Sequence, residues 1–164
     1  MKKPGCSTSD GKAGKKLLAL DVGDRRVGVA VSDATGLIAS PLVVIRRASR
    51  VEDFGRIASL VREQSAAGLV IGHPLNDDGS AGPQARRIER YAAALLAALQ
   101  EEGLDLPMVL WDERMSTWRA QEAMIAAGRK ARDRRARLDA VAAAVILQDY
   151  LEECKPGEGL ELFD

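Results

Sequence analysis

The chain has 164 residues, 46% apolar and 29% charged, with a formal net charge of zero. That length predicts one domain with a real core, and the balance excludes a disordered chain. No apolar run reaches spanning length and the basic N-terminus lacks the apolar stretch of a secretory signal, so the expected location is the cytoplasm.

Residues 1–14 read as a disordered tail, residues 15–153 as the folded domain, and residues 154–164 as an acidic tail. Lys16 to Asp21 is a predicted buried strand. Val22 to Arg25 forms a hairpin turn into a second strand, Arg26 to Asp33, where small and branched apolar residues alternate. Ile38 to Arg47 is a third strand, and Pro41 inside it predicts an edge position or a bulge. Glu52 to Ala66 has the apolar spacing of an amphipathic helix, with Gly68 expected to end it. Leu69 to Ile71 is a short fourth strand, followed by a polar loop from Gly72 to Gly82. Pro83 opens a long helix to about Glu102, stopped by Gly103. Pro107 to Trp111 is the fifth strand. Ser116 or Thr117 caps a helix to Ala127, ended by Gly128, and a final helix runs from about Arg135 to Glu152.

Three strands on short links pair antiparallel, whereas later strands that need helical crossovers run parallel to the first. The expected architecture is α/β: a mixed five-stranded sheet flanked by helices. The carboxyl ends of strands one, four and five then share one edge, bringing Asp21, His73 and Glu113 to it.

Buried strands favour apolar residues, so Asp21 after Leu17 to Leu20, and Glu113 just after Met108 to Trp111, point at a site. Asp139, entering an alanine-rich helix, is the third such acid. Hard divalent cations take carboxylate oxygens, and two magnesium ions about 4 Å apart serve phosphodiester hydrolysis. Manganese is an equal candidate. Asp112 competes with Glu113 for the middle position, because successive strand residues face opposite ways. The two cysteines, Cys6 and Cys154, and the single histidine, His73, support neither a zinc site nor a structural disulfide.

Charge is uneven along the chain. From Arg114 to Arg137 eight basic residues, among them Arg129, Lys130, Arg134 and Arg135, face only Glu122 and Asp133, a local net of +6. Such a run is often only a solvated surface, but between two candidate ligands it favours a polyanionic partner. Arg25 and Arg26 are candidate phosphate contacts, as are Asn76 and Ser80 in the loop before a helix N-terminus. Arg114 suits phosphate geometry. Trp111 and Trp118 belong to packing, since only 4% of residues are aromatic.

Leu20-Asp21-Val22-Gly23 with Asp24 to Asp33, Gly72-His73-Pro74-Leu75-Asn76 with Asp77 to Ala85, Asp112-Glu113-Arg114-Met115-Ser116-Thr117, and Asp139 to Leu151 occur in that order. Together they resemble the four motifs of the YqgF family, whose members are described as Holliday junction resolvases and as pre-16S rRNA nucleases. The resemblance covers residues 16–152 and implies a ribonuclease H-like fold. It favours Glu113 over Asp112, giving Asp21, Glu113 and Asp139 as the catalytic acids. It implies maturation of the 5′ end of 16S rRNA during ribosome biogenesis, with a Holliday junction resolvase as the alternative. The protein would be a monomer or a homodimer, and a resolvase requires the dimer. Two departures stand out: His73 replaces a commonly apolar residue, and Ala131, Asp133 and Ala136 dilute the basic stretch.

Two other classes compete. An actin-like phosphotransferase also opens on Asp-x-Gly, but needs a second domain for which 164 residues leave no room. A non-catalytic RNA-binding assembly factor would not need all three acids.

Overall fold

A computed structural model describes residues 15–113 and 131–153, with side chains from 138 onward in the second segment. The five strands are β1 (Lys16–Val22), β2 (Arg26–Ser32), β3 (Ala39–Arg46), β4 (Ala66–His73) and β5 (Met108–Asp112). The helices are α1 (Arg50–Gln64), α2 (Pro83–Glu101) and α3 (Ala131–Glu153). The strands form one sheet in the order β3-β2-β1-β4-β5. Pairing is antiparallel for β1 with β2 and β2 with β3, and parallel for β1 with β4 and β4 with β5, the mixed sheet expected from the links.

Each strand separates two apolar layers by alternation. Leu18, Leu20, Val27, Val29, Ile45, Leu69 and Ile71 face α1 and α2, packing with Phe54, Ile57, Tyr91, Leu95 and Leu99. Ala19, Ala30, Val70 and Val109 face α3, packing with Ala143, Ala144, Ile146, Leu147 and Tyr150. Small residues dominate that second layer, so α3 lies close on the sheet. Trp111 meets Tyr150 edge to face, with ring centroids 5.2 Å apart.

Several boundaries differ from expectation for local reasons. Ser49 caps α1 by accepting from the Glu52 amide at 3.2 Å, which moves the helix start back to Arg50. Ser65, at φ 51°, ends α1 in the left-handed region, donating its amide to the Arg62 carbonyl. Gly68 is therefore not the stop. It lies inside β4, where an added Cβ would come within 3.0 Å of the Leu17 side chain. Parallel pairing extends β4 at both ends, with β1 at Ala66 and with β5 at His73. Pro41 has both predicted features: β3 is the edge strand, and the register shifts opposite it between Val29 and Ala30.

Gln148 of α3 reaches that edge. Its amide donates to the Leu37 carbonyl at 3.0 Å and its carbonyl accepts from the Ala39 amide at 2.9 Å. α3 begins at Ala131, earlier than the predicted Arg135, so Asp139 lies well inside the helix and not at its entry. The predicted helix from Ser116 or Thr117 to Ala127, both tails, Cys6, Cys154 and Trp118 lie outside the described residues. No described helix is long and apolar enough to cross a membrane.

Candidate active site

Asp21 is the second-last residue of β1 and follows Leu17 and Ala19 by alternation onto the face covered by α3. Its cross-strand partner in β2 is Gly28. A Cβ on Gly28 would overlap the backbone carbonyl of Asp139. The missing side chain thus lets α3 rest on β2 at the turn that carries Asp139, beside Asp21. Gly72 does the same for the third acid: a Cβ there would overlap the Glu113 carboxylate and press on Ile146 at 2.8 Å. The Glu113 amide donates to the His73 carbonyl at 3.3 Å, which continues the β4–β5 pairing by one residue.

Alternation separates the two neighbouring acids. Val109 and Trp111 pack on the α3 side, whereas Met108 and Leu110 pack against the other layer. Glu113 therefore falls on the face of Asp21, and Asp112, paired in register with His73, falls on the opposite one.

Desolvation acts on all three carboxyls. Burial first, and then the Asp139 charge, pushes Asp21 up to about 6. Burial, then Asp21 and then Asp112, pushes Glu113 up to about 7. Asp139 is raised by burial as well, while Arg26 pulls it back. The Arg26 Nε stands 3.2 Å from Asp139 Oδ2. Among the described residues no three His, Cys, Asp or Glu side chains close around one point. The acids are linked pairwise through Asp21, with Asp139 held toward Arg26. As a donor set they still fit a hard divalent ion: oxygen ligands only, partly dry, with Asp139 raising Asp21 and Asp21 raising Glu113.

The sequence profile of the family described as "RuvX: Holliday junction resolvase" matches residues 15–153. The chain belongs to the RuvX family. A protein of Roseiflexus sp. (strain RS-1), named "Putative pre-16S rRNA nuclease", is 42% identical to this RuvX chain over 137 residues, 84% of the chain and 94% of the relative. One of the same name from Thermoanaerobacter pseudethanolicus is 38% identical, covering 85% and 98%. Among solved structures, "T. thermophilus RuvC in complex with Holliday junction substrate" superposes with a TM-score of 0.51 at 17% identity, covering 86% of this chain and 96% of that one. That likeness is one of fold, the ribonuclease H-like fold.

The other predicted contacts of the RuvX chain divide. Arg25 is exposed at the β1–β2 turn, and Arg26 is engaged by Asp139. Asn76 and Ser80 are exposed and bind each other: Asn76 Nδ2 donates to Ser80 Oγ at 2.9 Å, and Ser80 Oγ donates to Asp78 at 2.6 Å. The loop is thereby folded on itself before α2. His73 points away from the acids, its Nε2 3.0 Å from Glu89 of α2. Arg114, Arg129 and Lys130 lie outside the described residues, as do the side chains of Arg134 and Arg135.

Sequence reasoning missed Arg47. Its Nη1 donates to the Gly23 carbonyl at 2.8 Å, its Nε lies 3.9 Å from the buried Asp53, and its guanidinium sits 5.2 Å from the Tyr91 ring centre. The turn after Asp21 is thus tied to α1 and α2. Only tertiary packing reveals this, since Gly23 and Tyr91 are remote in sequence and Asp53 lies on the next element.

Proposed function

We propose that this chain is a metal-dependent nuclease that hydrolyses phosphodiester bonds in structured nucleic acid, with 5′-end maturation of pre-16S rRNA as its role. The observation that carries the reading is the gathering of Asp21, Glu113 and Asp139 from β1, the end of β5 and α3 on one face, with the carboxyls raised by shared burial. Asp21 would be the shared ligand, with Glu113 and Asp139 completing the set for magnesium or manganese, two ions in all. Bound there, the ions supply an activated water and charge for the leaving oxygen. The chain's own residues do the rest. Gly28 and Gly72 keep the carboxylates close, Arg47 fixes the turn behind Asp21, and Arg26, now on Asp139, would offer its guanidinium to phosphate. The names of the relatives at about 40% identity favour the RNA substrate.

Asp21→Asn is expected to abolish metal-dependent cleavage of a pre-16S fragment with an unchanged circular dichroism spectrum. Full cleavage by that variant overturns the reading. The family's description favours one second reading, resolution of four-way DNA junctions, which would require a homodimer to cut two strands symmetrically. Cleavage of a labelled four-way junction and of the pre-16S fragment, side by side with and without magnesium, decides between them.

A further inference from the structure

The basic block expected to meet nucleic acid follows β5 in the chain, yet exposed arginines also gather at the opposite edge of the sheet. β3 runs antiparallel to β2, so it ends, at Arg46, on the same edge where β1 delivers Asp21. Arg46 lies directly opposite Arg26 in the ladder, and the Arg47 amide donates to the Arg25 carbonyl at 2.8 Å. Two strand ends therefore place four arginines side by side, and α1 begins with a fifth, Arg50.

Two of these already have partners. Arg26 binds Asp139, and Arg47 serves Gly23, Asp53 and Tyr91. Arg25, Arg46 and Arg50 are exposed, and among the described residues no carboxylate stands within ion-pair distance of them. The nearby acids are otherwise engaged or outnumbered: Asp53 is buried on Arg47 and on the Ala48 amide, Asp24 lies 3.9 Å from Arg87, and only exposed Glu52 remains.

Two of the positions work against stability. Like charges directly opposite in an antiparallel pair repel, which Arg26 and Arg46 do. A cation in the first turn of a helix opposes its dipole, which Arg50 does. Positive charge held where folding disfavours it, beside a phosphodiester-cleaving site, has a natural counter-charge in the substrate. Arg46 shares the face of Asp21 and stands two strand spacings across and two residues along, about 12 Å away. That is within a few nucleotides of a phosphate at the carboxylates.

We propose that Arg46 and Arg50, with Arg25, form a phosphate-binding strip that carries the nucleic-acid backbone away from the carboxylates over the β3 edge. The ligand chemistry is the phosphodiester backbone itself, and the strip rests on the nuclease reading only for the identity of the polymer.

The test is fluorescence anisotropy in EDTA, from 50 to 300 mM KCl, with a labelled pre-16S 5′ fragment in one arm and a labelled four-way DNA junction in the other. Arg46→Gln with Arg50→Gln is expected to weaken binding roughly tenfold at 100 mM salt and to flatten the log–log salt slope by about 1.5, two phosphate contacts' worth. The melting temperature holds or rises, because the removed charges repel their surroundings. Arg46→Lys with Arg50→Lys keeps most of the slope. Arg62→Gln, at the far end of α1 and paired with Glu102, leaves it unchanged. A flattened slope in either arm supports the strip, and a loss confined to one names the polymer. Unchanged affinity and slope in the double Gln variant overturns it, as does a wild-type protein that binds neither probe. Cleavage by the wild type in magnesium is scored separately. Intact cleavage with an unchanged slope rejects the strip and leaves the nuclease, whereas a flattened slope without cleavage does the reverse.

Discussion

At the scale of single residues the site is a set of carboxylates held in the wrong solvent. Asp21 and Glu113, pushed to about 6 and 7, keep protons in the folded protein that the unfolded chain has released. The native state binds more protons between about pH 4 and 7, so stability falls as pH rises through that window, with the full loss present above pH 7. In a metal-free buffer the melting temperature should therefore be higher at pH 5 than at pH 8. Asp21→Asn should gain about 2 kcal/mol at pH 8 and roughly half of that at pH 5. Chemical denaturation at both values checks this, and an equal effect at both would count against burial as the cause. Arg26 offers a second prediction. Its guanidinium competes with any cation for Asp139. Arg26→Gln should lower the magnesium concentration that half-maximally stabilises the protein by roughly three- to tenfold, read as a thermal shift. An unchanged midpoint would show that the ion pair is no obstacle.

At the scale of elements, two glycines set how closely a helix and a strand approach the site. Gly28→Ala must lift α3 off β2 at Asp139, so it should cost about 3 kcal/mol and remove most cleavage. Gly55, on α1, meets nothing within 4 Å of an added Cβ, and Gly55→Ala should stabilise by about 0.5–1 kcal/mol. Urea denaturation of both variants tests the contrast. Elements were also where the sequence was most legible. Alternation in Arg26 to Ser32 and the spacing of Phe54, Ile57 and Val61 are read directly as periods of two and 3.6. The stop at Ser65 was not legible, because a serine in the left-handed region has no local signature and Gly68 nearby has a strong one. The choice between Asp112 and Glu113 needed the sheet. Parity alone puts the two acids on different faces, but which one shares the face of Asp21 is readable only when Val109 and Trp111 are known to face α3. Arg47 could not be read at all, since its partners Gly23, Asp53 and Tyr91 meet it only across elements.

For the whole molecule, one sheet carries two unequal layers. The α1 and α2 side is built from large side chains such as Ile57, Leu95 and Leu99, each worth roughly 1.5–3 kcal/mol on burial. The α3 side relies on alanines, bringing a helix close while burying less per residue. Of the described helices, α3 should be the first to open. Amide hydrogen exchange in the Ala140 to Leu151 stretch should report a lower opening free energy than in α2, and equal protection would refute the ranking.

The Gln148 clamp on Leu37 and Ala39 gives that opening a cellular meaning. The helix that brings Asp139 to the other acids also holds the start of the edge strand β3 through Gln148. On the proposed function, a molecule whose α3 swings away loses Asp139 from the site, and it also bares strand backbone able to pair with a second chain. Loss of function and the onset of aggregation are then one event seen by two assays.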